Sequence, residues 1–283
     1  MKKLKIILCI IVVLSLIISY FFYISYYHID VTSYTIDSSK INDEVHIVMI
    51  SDVHDHHCRV KNEIIDKIKV LKPDVILCVG DIIDDQSKSD KETLLFLKKL
   101  TDITTVYMSL GNHEMDFYKG HEEDLNKIKR LNVHLLEEQY EDITVNNQCL
   151  RIGGMYNYAF SQDDGKITKK SMHNNETYQF LADMTNTEYF QLMMAHRPDS
   201  FIYGEAYKWD IDLICSGHVH GGQVILPFIG GLYAPEQGWF PKCDFGLFKL
   251  GQAQLLVTRG ISSSDEYFPR FNNPCEIVDI TLK

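Results

Sequence analysis

Five short blocks place metal-binding or acid-base side chains directly after apolar runs. They are Asp52-Val53-His54 after HIVMI, Gly80-Asp81-Ile82-Ile83-Asp84 after VILCV, Gly111-Asn112-His113-Glu114 after VYMSL, Ala195-His196-Arg197, and Gly217-His218-Val219-His220. A single Asp or His in such a place is an ordinary turn or capping residue. Five in series are hard to explain that way. Mixed carboxylate, imidazole and amide donors suit Mn, Fe or Zn better than a thiolate site or an all-oxygen Mg or Ca cage. Two such ions a few ångströms apart can clamp a phosphate and generate hydroxide near neutral pH. In the H-x-H block, alternate residues of an extended segment face the same way, so both imidazoles can reach one site.

A scaffold must bring these strand exits together. From His46 onward, runs of strand length alternate with helical stretches: His46 to Ile50, Asn62 to Leu71, Asp74 to Val79, Lys91 to Leu100, Thr105 to Leu110 and Glu122 to Leu131. This rhythm predicts crossover units and a largely parallel sheet. Shorter β-like pieces follow at Leu150 to Gly153, Gln191 to Ala195, Ile211 to Cys215, Gln223 to Leu226, Leu255 to Thr258 and Glu276 to Leu282, and they predict a second sheet. The carboxyl ends of strands in open α/β sheets line the ligand crevice, so blocks distant in sequence should converge there. The polar stretch from Ser161 to Thr177 reads as a surface insertion or flap.

The 283 residues, 45% hydrophobic and 24% charged, can bury the core of one catalytic-sized domain. Their 28 Lys and Arg stand against 39 Asp and Glu, or 25 against 39 without Lys2, Lys3 and Lys5. So negative a surface argues against nucleic acid as a partner, and a phosphate substrate would need its neutraliser inside the site. The uncharged run from Ile6 to Tyr27 would form a helix of roughly 33 Å, enough to cross a bilayer core. It ends in tyrosines and phenylalanines suited to a membrane interface, with no small-residue cleavage site, so it reads as an uncleaved anchor. The preceding lysines put the N-terminus in the cytoplasm and the main domain on the far side of the cell membrane. The expected division is an anchor at 1–29, a polar linker at 30–44 and a catalytic domain at 45–283. None of the seven cysteines forms a C-x-x-C pair, and pairing among Cys58, Cys149, Cys243 and Cys275 stays open.

Taken in order, the blocks resemble the signature of the calcineurin-like metallophosphoesterase superfamily: D-x-H, G-D-x-x-D, G-N-H-E, a lone His after a strand, and G-H-x-H. The resemblance covers roughly 46–283, and GHVHGGQVILP, AHRPD and Phe268-Pro269-Arg270-Phe271 look like its membrane-associated bacterial branch. It implies an α/β four-layer α-β-β-α sandwich of two mixed sheets. It also implies two divalent ions, one held by Asp52, His54 and His220, the other by Asn112, His196 and His218, with Asp81 bridging both. His113 would approach the scissile phosphate, oriented by Asp84, and a metal-bridging hydroxide would attack phosphorus without a covalent intermediate. Arg197 and Arg270 are the positive charges inside matched blocks, and each is either a substrate-phosphate contact or half of a structural ion pair. Glu114 reads as a helix-start carboxylate, and His56 and His57 as solvated loop histidines.

The segment from Val224 to Phe245, rich in aromatics, is either core or a greasy lip admitting a lipid-linked ester from a nearby bilayer. The expected reaction is hydrolysis of a phosphodiester or phosphoanhydride in a lipid-linked or envelope substrate. The alternatives are a phosphomonoesterase acting on proteins or small molecules, and a non-catalytic tethered scaffold. A scaffold would have lost ligands, and every ligand position is filled.

Overall fold

The computed structural model describes residues 2–55, 57–155, 175–203, 209–262 and 268–283. Its elements run α1 (Lys2–Tyr27), β1 (Ile29–Ile36), β2 (Val45–Ile50), α2 (Lys61–Leu71), β3 (Val75–Val79), α3 (Lys91–Thr101), β4 (Thr105–Ser109), α4 (Asn112–Phe117), α5 (Leu125–Lys129) and β5 (Val133–Leu135). The second half continues with β6 (Gln139–Val145), β7 (Gln148–Met155), α6 (Asn175–Thr185), β8 (Phe190–Ala195), α7 (Asp199–Ile202) and β9 (Leu213–Ser216). Two small hairpins follow, β10 (Ile225–Leu226) with β11 (Gly230–Gly231) and β12 (Tyr233–Ala234) with β13 (Gly238–Trp239). The chain closes with β14 (Gly246–Leu250), β15 (Ala253–Val257) and β16 (Cys275–Leu282).

Two six-stranded sheets form, in the orders β1-β16-β2-β3-β4-β5 and β14-β15-β9-β8-β7-β6. In the first, β2 through β5 are parallel, and β16 runs antiparallel to β2. In the second, β15, β9, β8 and β7 are parallel, flanked by antiparallel β14 and β6. Side-chain alternation explains the layering. Val48, Ile50, Ile76 and Cys78 turn outward to meet Ile64, Ile68, Phe96 and Leu100 of α2 and α3. Their neighbours Ile47, Met49, Val75 and Leu77 turn inward to meet Ile152, Leu192, Met194 and Cys215 of the other sheet. Beyond that sheet, Met193, Ile214 and Leu255 pack against Leu181 and Met184 of α6. The result is the expected helix, sheet, sheet, helix stack.

Two expectations change. The stretch 30–44 is not a spacer, because Ile29–Ile36 forms β1, paired in parallel with β16 from Ile29 opposite Cys275 to Ile36 opposite Leu282. The segment Glu276 to Leu282 does not join the second sheet; it enters the first between β1 and β2, with Ile280 opposite Ile47. Both segments carry polar residues at alternate positions, which masked how deeply their apolar partners Ile36, Val278, Ile280 and Leu282 are buried. Most of the polar stretch Ser161 to Thr177 lies outside the described residues, as does His56. All seven cysteines fall within them and are free thiols.

Helix α1 is long and apolar enough to cross a membrane by length and composition. Its last turn is docked rather than dangling. The Ser25 hydroxyl accepts the Asn273 N–H (3.0 Å), the Tyr26 hydroxyl accepts the Arg270 N–H (3.1 Å), and the Phe21 and Phe22 rings lie 5.4 and 5.1 Å from Phe271. Arg59 covers Tyr26 and Tyr27 and donates to the Tyr27 hydroxyl.

Ile280 is fully buried between the sheets. Ile280→Ala is expected to destabilise the protein by about 2–5 kcal/mol, read as a lower urea midpoint with an unchanged slope.

Candidate metal centre

The five blocks meet where strands of both sheets end. Beyond β2 and β3 the two exits stay side by side, with the Asp52 N–H on the Gly80 carbonyl and the His54 N–H on the Asp81 carbonyl, each at 3.1 Å. The exits of β8 and β9 are joined in the same way, the Gly217 N–H donating to the His196 carbonyl at 2.9 Å. The sheets are then tied to one another through Asp52, whose carboxylate accepts the His218 N–H at 3.0 and 3.1 Å.

Donor atoms of Asp52, His54 and His220 lie within 4.8 Å of one another, and so do those of Asp81, His196 and His218. A third group, His54, Asp81 and His113, links the two. The first group has the residues expected for one ion; the second holds His196 and His218 with Asp81, the residue expected to bridge, in the place given to Asn112. Asn112 opens α4 between Gly111 and His113, and the His113 N–H donates to Asp81 Oδ1 at 2.9 Å. Crowding at the centre excludes side chains nearby: a Cβ at Gly111 would run into Asp81 Oδ1, and one at Gly217 into Ser51 and Asp52.

The donors fit a bound cation. His54 Nε2, Asp81 Oδ2, Asn112 Oδ1 and His196 Nε2 are buried without a hydrogen-bond partner among the described residues. Asp81 Oδ2 and His196 Nε2 stand 2.9 Å apart as an ion pair that lacks hydrogen-bond geometry. Buried polar atoms left so are costly unless an ion draws on their lone pairs. The opposite ring nitrogens are already committed. His196 Nδ1 donates to the Val79 carbonyl (2.8 Å) and His220 Nδ1 to the Ser262 carbonyl (3.0 Å), which in the neutral rings leaves Nε2 as the ligating atom. His218 is held the other way round, its Nε2 lying 2.9 Å from Glu236 Oε2.

Electrostatics divides the imidazoles. Burial opposes charge on His54 and His196, but Asp84, Asp81 and Asp52 outweigh it at His54, and Asp81 pushes His196 up to about 10. Asp81 in turn is held well below the usual carboxylate range by His196, His54 and His113 despite its burial. His218 and His220 are lowered, first by burial and then by the neighbouring Arg197 or His54.

Other expected site residues sit differently. Asp84 Oδ2 lies 3.4 Å from His54 Nδ1, whereas Asp85 meets His113: its carboxylate lies 2.9 Å from Nδ1, and its N–H donates to the same nitrogen at 3.1 Å. Asp85 therefore lies against His113 Nδ1, and Asp84 against His54. Arg270 is 1% exposed and spends its guanidinium on the carbonyls of Arg259, Gly260, Ser262, Asn273 and Pro274, so it buttresses the wall behind His220 instead of facing substrate. Arg197 is buried and paired with Glu236. Glu114 is buried and accepts the N–H groups of Asp81, Ile82, Ile83 and Gly111, which fixes the β3 exit. His57 is partly exposed, 3.6 Å from Asp84.

Residues 45–222 match the family described as calcineurin-like phosphoesterases. The chain belongs to that family. An uncharacterized metallophosphoesterase of Campylobacter jejuni is 30% identical over 262 residues, covering 90% of this phosphoesterase and 63% of the relative, so the chain spans less than two thirds of that protein's length. An uncharacterized Bacillus subtilis metallophosphoesterase, YkuE, is 28% identical, covering 92% and 88% of the two chains. In fold, the phosphoesterase is similar to a dimetal phosphatase from Danio rerio, at 12% identity and a TM-score of 0.50, covering 78% of this chain and 90% of that one. Family membership and relatives described as metallophosphoesterases make it a metal-dependent phosphoesterase.

Glu236 had no sequence signal: it lies in the turn between β12 and β13, 18 residues past His218, and only the hairpin brings it back. Glu236→Gln is expected to weaken divalent-ion retention about 10–100-fold, measured by competition with a chromophoric chelator. Because the fields on His54 and His196 favour protonated rings, an ion must displace protons there. Calorimetry in buffers of different ionisation enthalpy should therefore show proton release, and affinity should tighten as pH rises.

Proposed function

We propose that this phosphoesterase is a membrane-anchored enzyme using two divalent ions to hydrolyse a phosphodiester or phosphoanhydride, with a lipid-linked or envelope ester as its substrate. The observation that carries this reading is the convergence of Asp52, His54, Asp81, His113, His196, His218 and His220 from both sheets into one buried cluster with orphaned donor atoms. Asp52, His54 and His220 would hold one ion and Asn112, His196 and His218 the other, with Asp81 shared; the donor set suits Mn, Fe or Zn. When bound, such ions supply Lewis acidity toward the phosphoryl oxygens and lower the pKa of water.

The chain's own residues do the rest. Asp85 anchors His113 by one ring edge, so that its Nε2 faces inward, 4.0 Å from Asp81 Oδ2, where a phosphoryl group between the ions would lie within its reach. An imidazole there can stabilise charge on the phosphoryl oxygens or give a proton to the leaving oxygen. Asp84, buried beside His54, would position a ligand rather than the acid. Glu236 locks His218 and Arg197 into one unit, so Arg197 would act by fixing the ligand.

The lipid reading is supported by how the helix meets the site. Tyr26 of α1 accepts the Arg270 N–H, Arg270 donates to the Ser262 carbonyl, and the same carbonyl accepts from His220. The end of α1 is thus a few hydrogen bonds from a metal ligand, which would hold the site close to a bilayer that α1 crosses. Lys2, Lys3 and Lys5 ahead of the apolar run favour a cytoplasmic N-terminus and an extracytoplasmic domain.

The test uses the full chain in detergent. Chelation should abolish hydrolysis of an aryl phosphodiester and Mn should restore it, with the diester turned over faster than its monoester. His113→Ala should keep its metal content by elemental analysis while losing about 10²–10⁴-fold in kcat. Full turnover by His113→Ala would remove that residue from the chemistry, and a monoester preference would replace the diester assignment.

A further inference from the structure

Two hairpins after the His218–His220 block expose large apolar side chains, Phe228 and Ile229 at the tip of the first and Trp239 and Phe240 at the base of the second. Phe228 is 109% exposed, Ile229 65%, Trp239 59% and Phe240 55%. Leu226, Pro227, Phe228 and Ile229 make a turn closed by the Ile229 N–H on the Leu226 carbonyl (3.1 Å), with Pro and then a positive φ at the central positions, the type II arrangement. Glycine is the residue that adopts that conformation without strain, yet Phe228 holds it at φ 67°, and Phe240 sits at φ 55°. Phe228, a bulky ring held at positive φ and fully exposed, points to a surface made for something else.

Both hairpins are linked to the docked end of α1. Ile225 donates its N–H to the Phe271 carbonyl (3.0 Å), Asn272 Nδ2 donates to the Ile225 carbonyl (2.9 Å), and Phe271 packs against Phe21 and Phe22. On the second hairpin, Trp239 rests on Tyr233 and on Phe268, whose ring centroid is 5.7 Å away and which lies three residues before Phe271. Both hairpins are therefore fastened to the strap 268–273 that seats the final turns of the helix.

We propose that Phe228, Ile229, Trp239 and Phe240 form a second membrane contact, inserting into the interfacial layer of the bilayer that α1 crosses and fixing the tilt of the catalytic domain over it. The occupant is a lipid surface because the helix already holds these hairpins next to a membrane, Trp and Phe suit that layer, and a chain of formal charge −11 gains little from general attraction to anionic lipids. The inference rests on the anchor reading of α1.

Tryptophan quenching tests it, because the chain has two tryptophans, and Trp209 packs against Tyr178 of α6 and the cluster on the outer face of the second sheet. Full-length Trp209→Phe is reconstituted in phosphatidylcholine vesicles with acyl chains brominated near the headgroup. Trp239 emission should fall about two-fold relative to unbrominated vesicles, as should emission from Phe228→Trp placed in a Trp209→Phe, Trp239→Phe background, whereas Trp209 alone should be unaffected. If the protein floats with the vesicles and both reporters stay unquenched, the second contact is overturned and the anchor stands. A chain that does not float overturns the anchor and the contact with it. Unquenched reporters in a particle whose light-scattering mass contains two chains would assign the patch to a second copy, which also overturns the proposal.

Discussion

Carboxylates and imidazoles cannot share one dry volume unless something offsets their desolvation and mutual repulsion, and this constraint shapes the molecule around the junction of its sheets. Asp52 and Asp81 are both buried there, among four buried imidazoles from three separate strand exits. Protons on His54 and His196 can balance the carboxylates in part, but the unpartnered donor atoms of Asp81, Asn112 and His196 all call for a cation. The hydrogen bonds behind the ligands make sense only as preparation for that cation: Val79, Ser262 and Glu236 each take one nitrogen of a histidine and turn the other toward the centre.

Meeting this constraint strains the backbone. Asp52, His54, Asp81, His218 and His220 all adopt positive φ, a conformation that is uncommon for residues with side chains and that persists only where the surroundings enforce it. Enforcement comes from Glu114, which gathers four N–H groups around the Asp81 exit, and from Arg270, which gathers carbonyls behind His220. One charge of each sign holds the loops from behind, and neither faces the reacting groups. The same logic explains the close approach of Gly111 and Gly217, where no side chain fits against the carboxylates.

The parts legible in the sequence were those in which one residue type in one local pattern has one physical use. Apolar runs ending in Asp, His or Asn gave both the central strands and the side chains beyond them, and Asp, His and His from separate blocks do come together at the junction of the sheets. What escaped depends on three-dimensional return. Asp84 and Asp85 are neighbours, and only the path of the loop decides which one meets His113. Arg270 carries a charge that invites a phosphate, but its partners are carbonyls, which leave no trace in a residue pattern. The aromatics after Val224 were undecided between core and lip; Phe228 and Trp239 are exposed while Ala234 and Cys243 within the same stretch are buried.

The last strand has a further consequence. Because β16 lies between β1 and β2, the first sheet joins strands far apart in sequence, and β1 meets it only through β16. Until β16 is made, β1 has no neighbour to pair with, β2 presents an open edge, and the strap that seats the helix is absent or only just made, since residues 268–274 directly precede β16. Closure of this sheet therefore waits on a strand some 230 residues further along the chain than β2, and until that strand arrives the β2 edge is open to edge-to-edge association.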